Sequence, residues 1–289
     1  MYDTTINHLI GGNMLTNYHT HSAFCDGKMM PEAYVKSAIQ KGFKALGFSS
    51  HVPVSFETGC SMNEEGLHEY TEAILMLKEK YKNKIQIYLG LETDYYPGCR
   101  DYRDILGVDY TIGSVHFLHD PVTKLTRSFD NSAKDFYEAG EMFFNGNIRL
   151  LVEAYYNLLI EMIQNQTPEI LGHIDVLKKN NAKNRFFNES EPWYKNLVEK
   201  TLIKVKEHNI IAEINTGGIS RGYTTEMYPS SWIISLMREM DIPIMLNSDA
   251  HHPDWIDTYY TEAKKILISA GYYNQRILLD GIWQDVPLC

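Results

Sequence analysis

The chain has 289 residues, a length that suits one large α/β domain, and we expect residues 1–289 to fold as a single domain. Hydrophobic residues make up 44% of the sequence and charged residues 22%, which is typical of a folded protein with its own core and argues against a disordered chain. The formal net charge of -10 disfavours nucleic acid as a partner, because binding of a phosphate backbone requires a basic surface.

The N-terminal segment and the cysteines indicate the cellular compartment. Residues 1–12 lack the basic and apolar regions of a signal peptide, and no window holds the roughly 18 uninterrupted apolar residues of a membrane span. The cysteines are widely spaced and form no CxxC pair, which predicts free thiols at Cys25, Cys60, Cys99 and Cys289. We therefore expect a cytoplasmic protein without a membrane partner.

Short apolar runs that are typical of strands alternate with longer segments of helical periodicity. The predicted strands are Met14–Tyr18, Ala45–Ser49, Ile85–Leu91, Tyr110–Val115, Ile170–Gly172, Ile210–Ile214 and Ile242–Leu246. The predicted helices are Pro31–Lys41, Glu64–Tyr81, Ala133–Gln164, Glu191–His208, Ser230–Met240 and Asp257–Ala270. This alternation predicts parallel strands joined by crossovers. A closed or nearly closed barrel fits best, and an open doubly wound sheet is the alternative.

Polar residues follow the predicted strands at their carboxyl ends. The run NYHTHS places His19 and His21 just after the first strand, and their spacing directs both rings to the same side of an extended segment. The later strand ends contribute, in chain order, His51, Glu92, His116, His173, Asp175, Asp249 and His251. Because strand ends converge on one face of a barrel, we expect these distant residues to meet there.

Imidazole and carboxylate groups in this arrangement predict a metal site. One such histidine taken alone is more often a hydrogen-bonded loop or core residue, and an HxH pair alone occurs by chance in many proteins. The whole ordered series is far more specific. Mixed nitrogen and oxygen ligands suit Zn²⁺, Fe²⁺ or Mn²⁺, and the absence of clustered cysteines argues against a structural zinc site made of thiolates.

These motifs, in this order from Tyr18 to about Gly271, resemble the polymerase-and-histidinol-phosphatase (PHP) superfamily, and most closely its histidinol-phosphate phosphatases. The resemblance implies a distorted (β/α)7 barrel that holds two or three divalent metal ions. It implies a first metal set of His19, His21, Glu92 and Asp249. It implies a second set of Glu92, His116 and His173, with Glu92 as the bridge, and a third set of Asp26, His51 and His251.

The activity implied by the resemblance is hydrolysis of L-histidinol phosphate to L-histidinol and inorganic phosphate. We expect a hydroxide shared between two metal ions to attack phosphorus, because the two oxygens of Glu92 can span two cations. Glu92, Asp249 and His251 are the residues expected to act in catalysis. The source of the leaving-group proton stays open between Asp249, His251 and a metal-bound water.

Basic residues near the strand ends are candidates for binding a small phosphate monoester. Lys178 and Lys179 follow the LGHID motif, and Arg221 follows the sixth strand; the resemblance favours Lys179 and Arg221 as phosphate ligands. A solvated surface charge is an equally good interpretation of each. Asp175 either orients a ligand imidazole from behind or caps the following helix.

Two other functions fit the same residues. The first is a related phosphoesterase that acts on nucleotides or phosphodiesters, which the net charge disfavours. The second is a protein that binds metal ions without turnover, which would surround each ion fully with side chains. The sequence leaves the metal identity and the oligomeric state open.

Overall fold

The computed structural model describes residues 14–120 and 122–288, so the thiol expected at Cys289 lies outside the described residues, and one domain over residues 1–289 stays a prediction. The strands are β1 Thr16–Asn17, β2 Ala45–Phe48, β3 Gln86–Asp94, β4 Tyr110–Ser114, β5 Phe117–His119, β6 Thr126–Ser128, β7 Ile170–Leu171, β8 Ile211–Asn215, β9 Ile244–Asn247, β10 Asn274–Leu279 and β11 Ile282–Pro287. The helices are α1 Pro31–Lys41, α2 Glu64–Tyr81, α3 Ala133–Phe144, α4 Ile148–Gln166, α5 Pro192–Glu207, α6 Gly217–Ser220, α7 Ser231–Glu239 and α8 Tyr260–Ser269.

Seven parallel strands form a nearly closed barrel in the order β1-β2-β3-β4-β7-β8-β9. The two outer strands meet just beyond their carboxyl ends, where Thr20 and Ala250 form a parallel bridge. The amide of His21 donates to the carbonyl of Ala250 at 2.9 Å, and the amide of Ala250 donates to the carbonyl of His19 at 3.1 Å. All seven predicted strands and the barrel are confirmed, and the open sheet is not observed.

Local sequence explains why the helices begin and end where they do. Pro31 stands at the first turn of α1, and Gly42 ends that helix in the left-handed conformation, with a φ of 79°. The side chain of Asn63 caps α2 by accepting from the amide of Gly66. None of the described helices is long and apolar enough to cross a membrane.

The single helix predicted over Ala133–Gln164 is wrong, because the structure has two helices there. Asn145 and Gly146 both have positive φ, 50° and 79°, and they separate α3 from α4. The Asn-Gly pair is a turn signal that the helical periodicity on either side had masked. The β5–β6 and β10–β11 hairpins were also missed, although Asp280-Gly281 between β10 and β11 is a two-residue hairpin turn, with φ of 54° and 73°.

The β10–β11 hairpin packs across the amino-terminal end of the barrel. Ile277, Leu278 and Val286 share a buried cluster with residues at the starts of the barrel strands, and the hydroxyl of Tyr18 donates to the carbonyl of Leu278 at 2.5 Å. The carboxyl ends remain free of this cover. The hairpin therefore closes the face opposite the candidate site.

The hairpin supplies a stability test with a matched control. Ile277 is fully buried, whereas Ile282 on the partner strand is 64% exposed. We expect Ile277→Ala to lower the free energy of unfolding by about 2–4 kcal/mol because it leaves a cavity. Ile282→Ala should change it by less than about 0.5 kcal/mol. Urea denaturation of both variants measures the difference, and equal effects would contradict the packing of the hairpin.

Candidate metal centre

Glu92 lies at the centre of the residues that the strand ends bring together. It is near the end of β3, is 1% exposed, and accepts from the hydroxyl of Ser114 at 2.7 Å. Its two oxygens face different histidines. Oε1 lies 3.1 Å from His173 Nε2 and 3.7 Å from His116 Nε2, and Oε2 lies 3.2–3.4 Å from ring nitrogens of His19, His21 and His51.

A second carboxylate, Asp249, follows β9 on the other side of the centre. Its Oδ1 lies 3.3 Å from His21 Nε2 and 3.5 Å from His251 Nδ1. Its φ is 50°, a left-handed conformation that aspartate tolerates better than most residues. Asp26 lies beyond the far side of His21, with Oδ1 3.3 Å from His21 Nδ1 and Oδ2 3.1 Å from His251 Nε2.

All nine predicted ligands are therefore brought together, but the atoms group differently from the predicted three sets. Five groups have potential ligand atoms within 4.8 Å of one another: His19–His21–Asp249, His19–Glu92–His173, His21–His51–Glu92, His21–Asp26–His251 and His51–Asp94–His116. The predicted third set is divided among them. His51 groups with Glu92 and Asp94 rather than with Asp26 and His251, because its Nδ1 points toward those two carboxylates.

Several buried polar atoms have no hydrogen-bond partner. Those that belong to the five groups are His51 Nδ1, Asp94 Oδ2 and Asp26 Oδ1, and such orphaned atoms are rare in folded proteins. In addition, His19 Nε2 lies 3.1 Å from His21 Nε2, so two ring nitrogens face each other. Cations between these groups would satisfy them all. Imidazole nitrogen and carboxylate oxygen are ligands for zinc, iron and manganese, so the residues fit the predicted metals.

The charges in the cluster are strongly coupled. Burial opposes the charged ring of His19, but Glu213, Glu92 and Asp249 together raise its pKa from 6.5 to about 10. Burial also opposes ionisation of Asp249, yet Arg221 and His19 hold the pKa of this carboxyl well below its usual range. The carboxylates thus attract positive charge strongly. Protons and metal ions compete for the same ring nitrogens, because only a deprotonated nitrogen can bind a metal.

Two carboxylates that orient histidines from behind were not predicted. Glu213 in β8 is 1% exposed; its Oε1 accepts from His19 Nδ1 at 2.6 Å, which leaves His19 Nε2 facing the centre. Asp94 accepts from His116 Nδ1 and so directs His116 Nε2 toward Glu92. A charged residue inside a buried apolar strand was the available signal for Glu213. For Asp94 the signal was its position two residues after Glu92, on the same face of β3.

The structure gives Asp175 other partners than those predicted. Its Oδ2 accepts from the amide of Ser230 at 2.8 Å and from the hydroxyl of Ser230 at 3.0 Å, and it lies 3.2 Å from Lys178 Nζ. Among the described contacts it binds no imidazole, and it does not cap the 3-10 helix that follows it. Neither predicted role is observed, because the carboxylate of Asp175 instead binds Ser230 at the start of α7.

A cleft of about 530 Å³ opens beside the cluster and contains both predicted phosphate-binding residues, together with Lys28. Arg221 is held by Asp249, with Nη2 2.7 Å from Asp249 Oδ2. Lys179 Nζ lies 3.5 Å from Asp130 Oδ2 and 4.6 Å from the ring centre of Tyr223. Lys178, in contrast, is buried away from the cleft. Its Nζ donates to the carbonyl of Met227 and to the hydroxyl of Ser230, so it supports the fold.

Known proteins share this fold over most of their length. A profile of the PHP domain family matches residues 17–217. The histidinol-phosphatase of Bacillus subtilis is 28% identical over 253 residues, which are 81% of this chain and 92% of the relative. A crystal structure from Listeria monocytogenes aligns with a TM-score of 0.75 and 27% identity, over 86% of this chain and 99% of that chain. The histidinol phosphate phosphatase of Lactococcus lactis, crystallised with zinc, L-histidinol and phosphate, has a similar fold, with a TM-score of 0.66 and 20% identity.

The contact between Asp94 and His116 can be tested by metal binding. We expect Asp94→Ala to weaken zinc binding by about 10–100-fold, because a metal-bound histidine depends on the acceptor behind its other nitrogen. Asp94→Asn keeps an acceptor and should have a smaller effect. Competition with a chromophoric chelator measures the affinity, and Asp104→Asn at an exposed position is the control. Wild-type zinc affinity in Asp94→Ala would contradict this role.

Proposed function

Since the chain belongs to the PHP domain family, we propose that it hydrolyses L-histidinol phosphate to L-histidinol and inorganic phosphate in a metal-dependent reaction. The relatives named for this activity match the chain over most of its length. The observation that carries the proposal is the placement of Glu92, whose two oxygens face two different sets of histidines. Such a carboxylate suits a bridge between two cations. A cytoplasmic location agrees with the proposed biosynthetic reaction.

The nine predicted ligands would hold two or three divalent ions, of which zinc, iron and manganese suit the donors. When bound, the ions supply Lewis acidity toward the phosphoryl oxygens and lower the pKa of a coordinated water. The remaining tasks belong to side chains of the chain. Glu213 and Asp94 fix the ring orientation of His19 and His116, and Arg221 fixes the carboxylate of Asp249. Orientation by such neighbours gives a site its geometry before substrate binds.

Binding of the phosphate dianion falls to the cations of the cleft. Lys179 and Lys28 line the cleft together with Arg221. Arg221 already donates hydrogen bonds to Asp249, but its buried Nε has no hydrogen-bond partner. We infer that Lys179 contacts the phosphate, because it is mostly buried in the wall of the cleft, whereas Lys28 is exposed, and because its Nζ lies 3.5 Å from Asp130 Oδ2, too far for a direct hydrogen bond between charged groups.

We infer that the proton for the leaving group comes from solvent rather than from Asp249 or His251, the two side chains considered. Burial, the neighbouring His21 and Arg221 lower the pKa of His251 to about 4, so its ring is neutral at pH 7. Asp249 has a lowered pKa and is ionised at the same pH. Both lowered pKa values favour metal binding over proton donation, which supports a solvent molecule in the cleft as the proton source.

The open cleft also bears on the two other candidate functions. A protein that only stores metal ions surrounds them with side chains, whereas here about 530 Å³ of space adjoins the candidate ligands. A phosphate monoester would occupy this space next to the candidate ligands. No contact in the described part of the chain specifically favours a nucleotide or a phosphodiester.

A phosphate-release assay tests the proposed function. We expect wild-type protein to release phosphate from L-histidinol phosphate faster than from sugar phosphates or a bis-aryl phosphodiester, with loss of activity after chelation and recovery on metal addition. Glu92→Gln should lower turnover by about three orders of magnitude or more, because it removes the shared charge at the centre. Glu64→Gln, at an exposed position, is the control. Full activity after complete metal removal would refute the proposal.

The two adjacent lysines give a second test with opposite outcomes. Lys179→Ala should raise KM for the phosphate monoester by about 10-fold or more, the loss of a charge-assisted contact, and leave the free energy of unfolding unchanged. Lys178→Ala should instead lower the free energy of unfolding by about 3–5 kcal/mol, because it removes a buried charge next to Asp175. Steady-state kinetics and urea denaturation of both variants separate the roles. Similar results for the two lysines would be inconsistent with them.

A further inference from the structure

The proposed substrate carries a positive charge that the metal ligands do not bind. L-histidinol phosphate has a primary amine on the carbon next to the one that bears the phosphate ester, and this amine is protonated at neutral pH. A charged group that leaves water for a cleft needs an oppositely charged partner there. If the amine is recognised, a carboxylate has to lie on the wall beside the phosphate-binding cations.

One carboxylate of the cleft has no part in the metal cluster. Four acidic residues line the cleft within the described part of the chain: Asp26, Glu92, Asp130 and Asp249. All except Asp130 belong to at least one group of potential metal ligands. Asp130 is therefore the described acidic residue that remains available for an organic cation.

The backbone and side chain of Asp130 are held firmly in place. It follows β6, and its Oδ1 accepts from the hydroxyl of Ser128 at 2.9 Å. The amide group of Asn180 donates to the backbone carbonyls of Phe129 and Asp130, at 3.0 and 3.2 Å. The side chain is only 14% exposed. A rigid and mostly buried carboxylate discriminates well, since a substrate without the matching cation leaves it unpaired.

The second oxygen of Asp130 still has room for a donor. Its Oδ2 lies 3.5 Å from Lys179 Nζ, which is longer than a direct hydrogen bond between charged groups. Lys179 is the residue to which we assign the phosphate. An ester that places its phosphate at Lys179 and the metal cluster would therefore carry its neighbouring amine along the wall that contains Asp130.

We propose that Asp130 binds the ammonium group of the substrate and makes the site selective for phosphate monoesters with an amine next to the ester carbon. This inference rests on the proposed function and deepens it. The competing role for Asp130 is to hold Lys179 in position for the phosphate. The two roles differ in one respect: only the first depends on the amine.

The test compares Asp130→Asn with wild type on two substrates, L-histidinol phosphate and 3-(imidazol-4-yl)propyl phosphate, which lacks only the amine. We expect the variant to lower kcat/KM for the aminated ester by about 30-fold or more, the loss of one partner of a buried charge pair, with less than about a threefold change for the other ester. Asp104→Asn is the control at an exposed position. An equal decrease for both esters, or no decrease for either, would overturn the proposal.

Failure of the proposed function gives a different result. If wild-type protein hydrolyses neither imidazole ester, the proposed hydrolysis of L-histidinol phosphate is wrong. The role of Asp130 is then measured with 2-aminoethyl phosphate and ethyl phosphate. A preference of wild type for the aminated ester that Asp130→Asn removes supports the amine site. The absence of any such preference refutes it.

Discussion

The contacts of Glu92 are the constraint on which the rest of the site depends. A carboxylate that is 1% exposed is costly to bury unless positive charge surrounds it. Here the rings on both sides supply that charge when they are protonated, and metal ions would supply it in their place. The need to surround one buried carboxylate explains why so many strand ends carry a histidine. It also explains why the rings of His19 and His116 have carboxylates behind them that fix their direction.

The barrel can hold the candidate ligands in place because its two ends have different structural roles. At the amino-terminal end the β10–β11 hairpin fills the opening with apolar side chains. At the carboxyl end, the bridge between Thr20 and Ala250 closes the circle of strands beside His19, His21 and Asp249. The closure and the cluster use the same segments, so a shift of the outer strands would move the ligands themselves. Burial of the hairpin therefore stabilises a framework that the site requires to be rigid.

Sequence predicted the framework and the convergence of the candidate ligands, because both follow from short-range patterns. Strand runs were bounded by polar ends, and HxH spacing fixes the side on which two rings lie. What escaped prediction depends on the third dimension. The sequence cannot tell which nitrogen of His51 or His116 faces the centre, and so it could not separate a candidate ligand such as Glu92 from the orienting Asp94. The sequence also could not tell which group the side chain of Asp175 contacts, and in the structure this side chain accepts from the amide of Ser230.

The cleft also contains charged residues that are not candidate metal ligands. Because these residues do not lie at the ends of barrel strands, the strand ends alone do not define the substrate. Most of the candidate ligands lie at strand ends, where the barrel fixes their positions. Lys179, Asp130 and Arg221 lie instead on segments that follow strands, and their spacing in the sequence says nothing about their distance in space. Lys179 and Asp130 are 49 positions apart and yet lie 3.5 Å from each other. The candidate metal site is thus a property of the barrel, whereas the proposed recognition of the substrate would depend on how two segments from different parts of the sequence meet beside it.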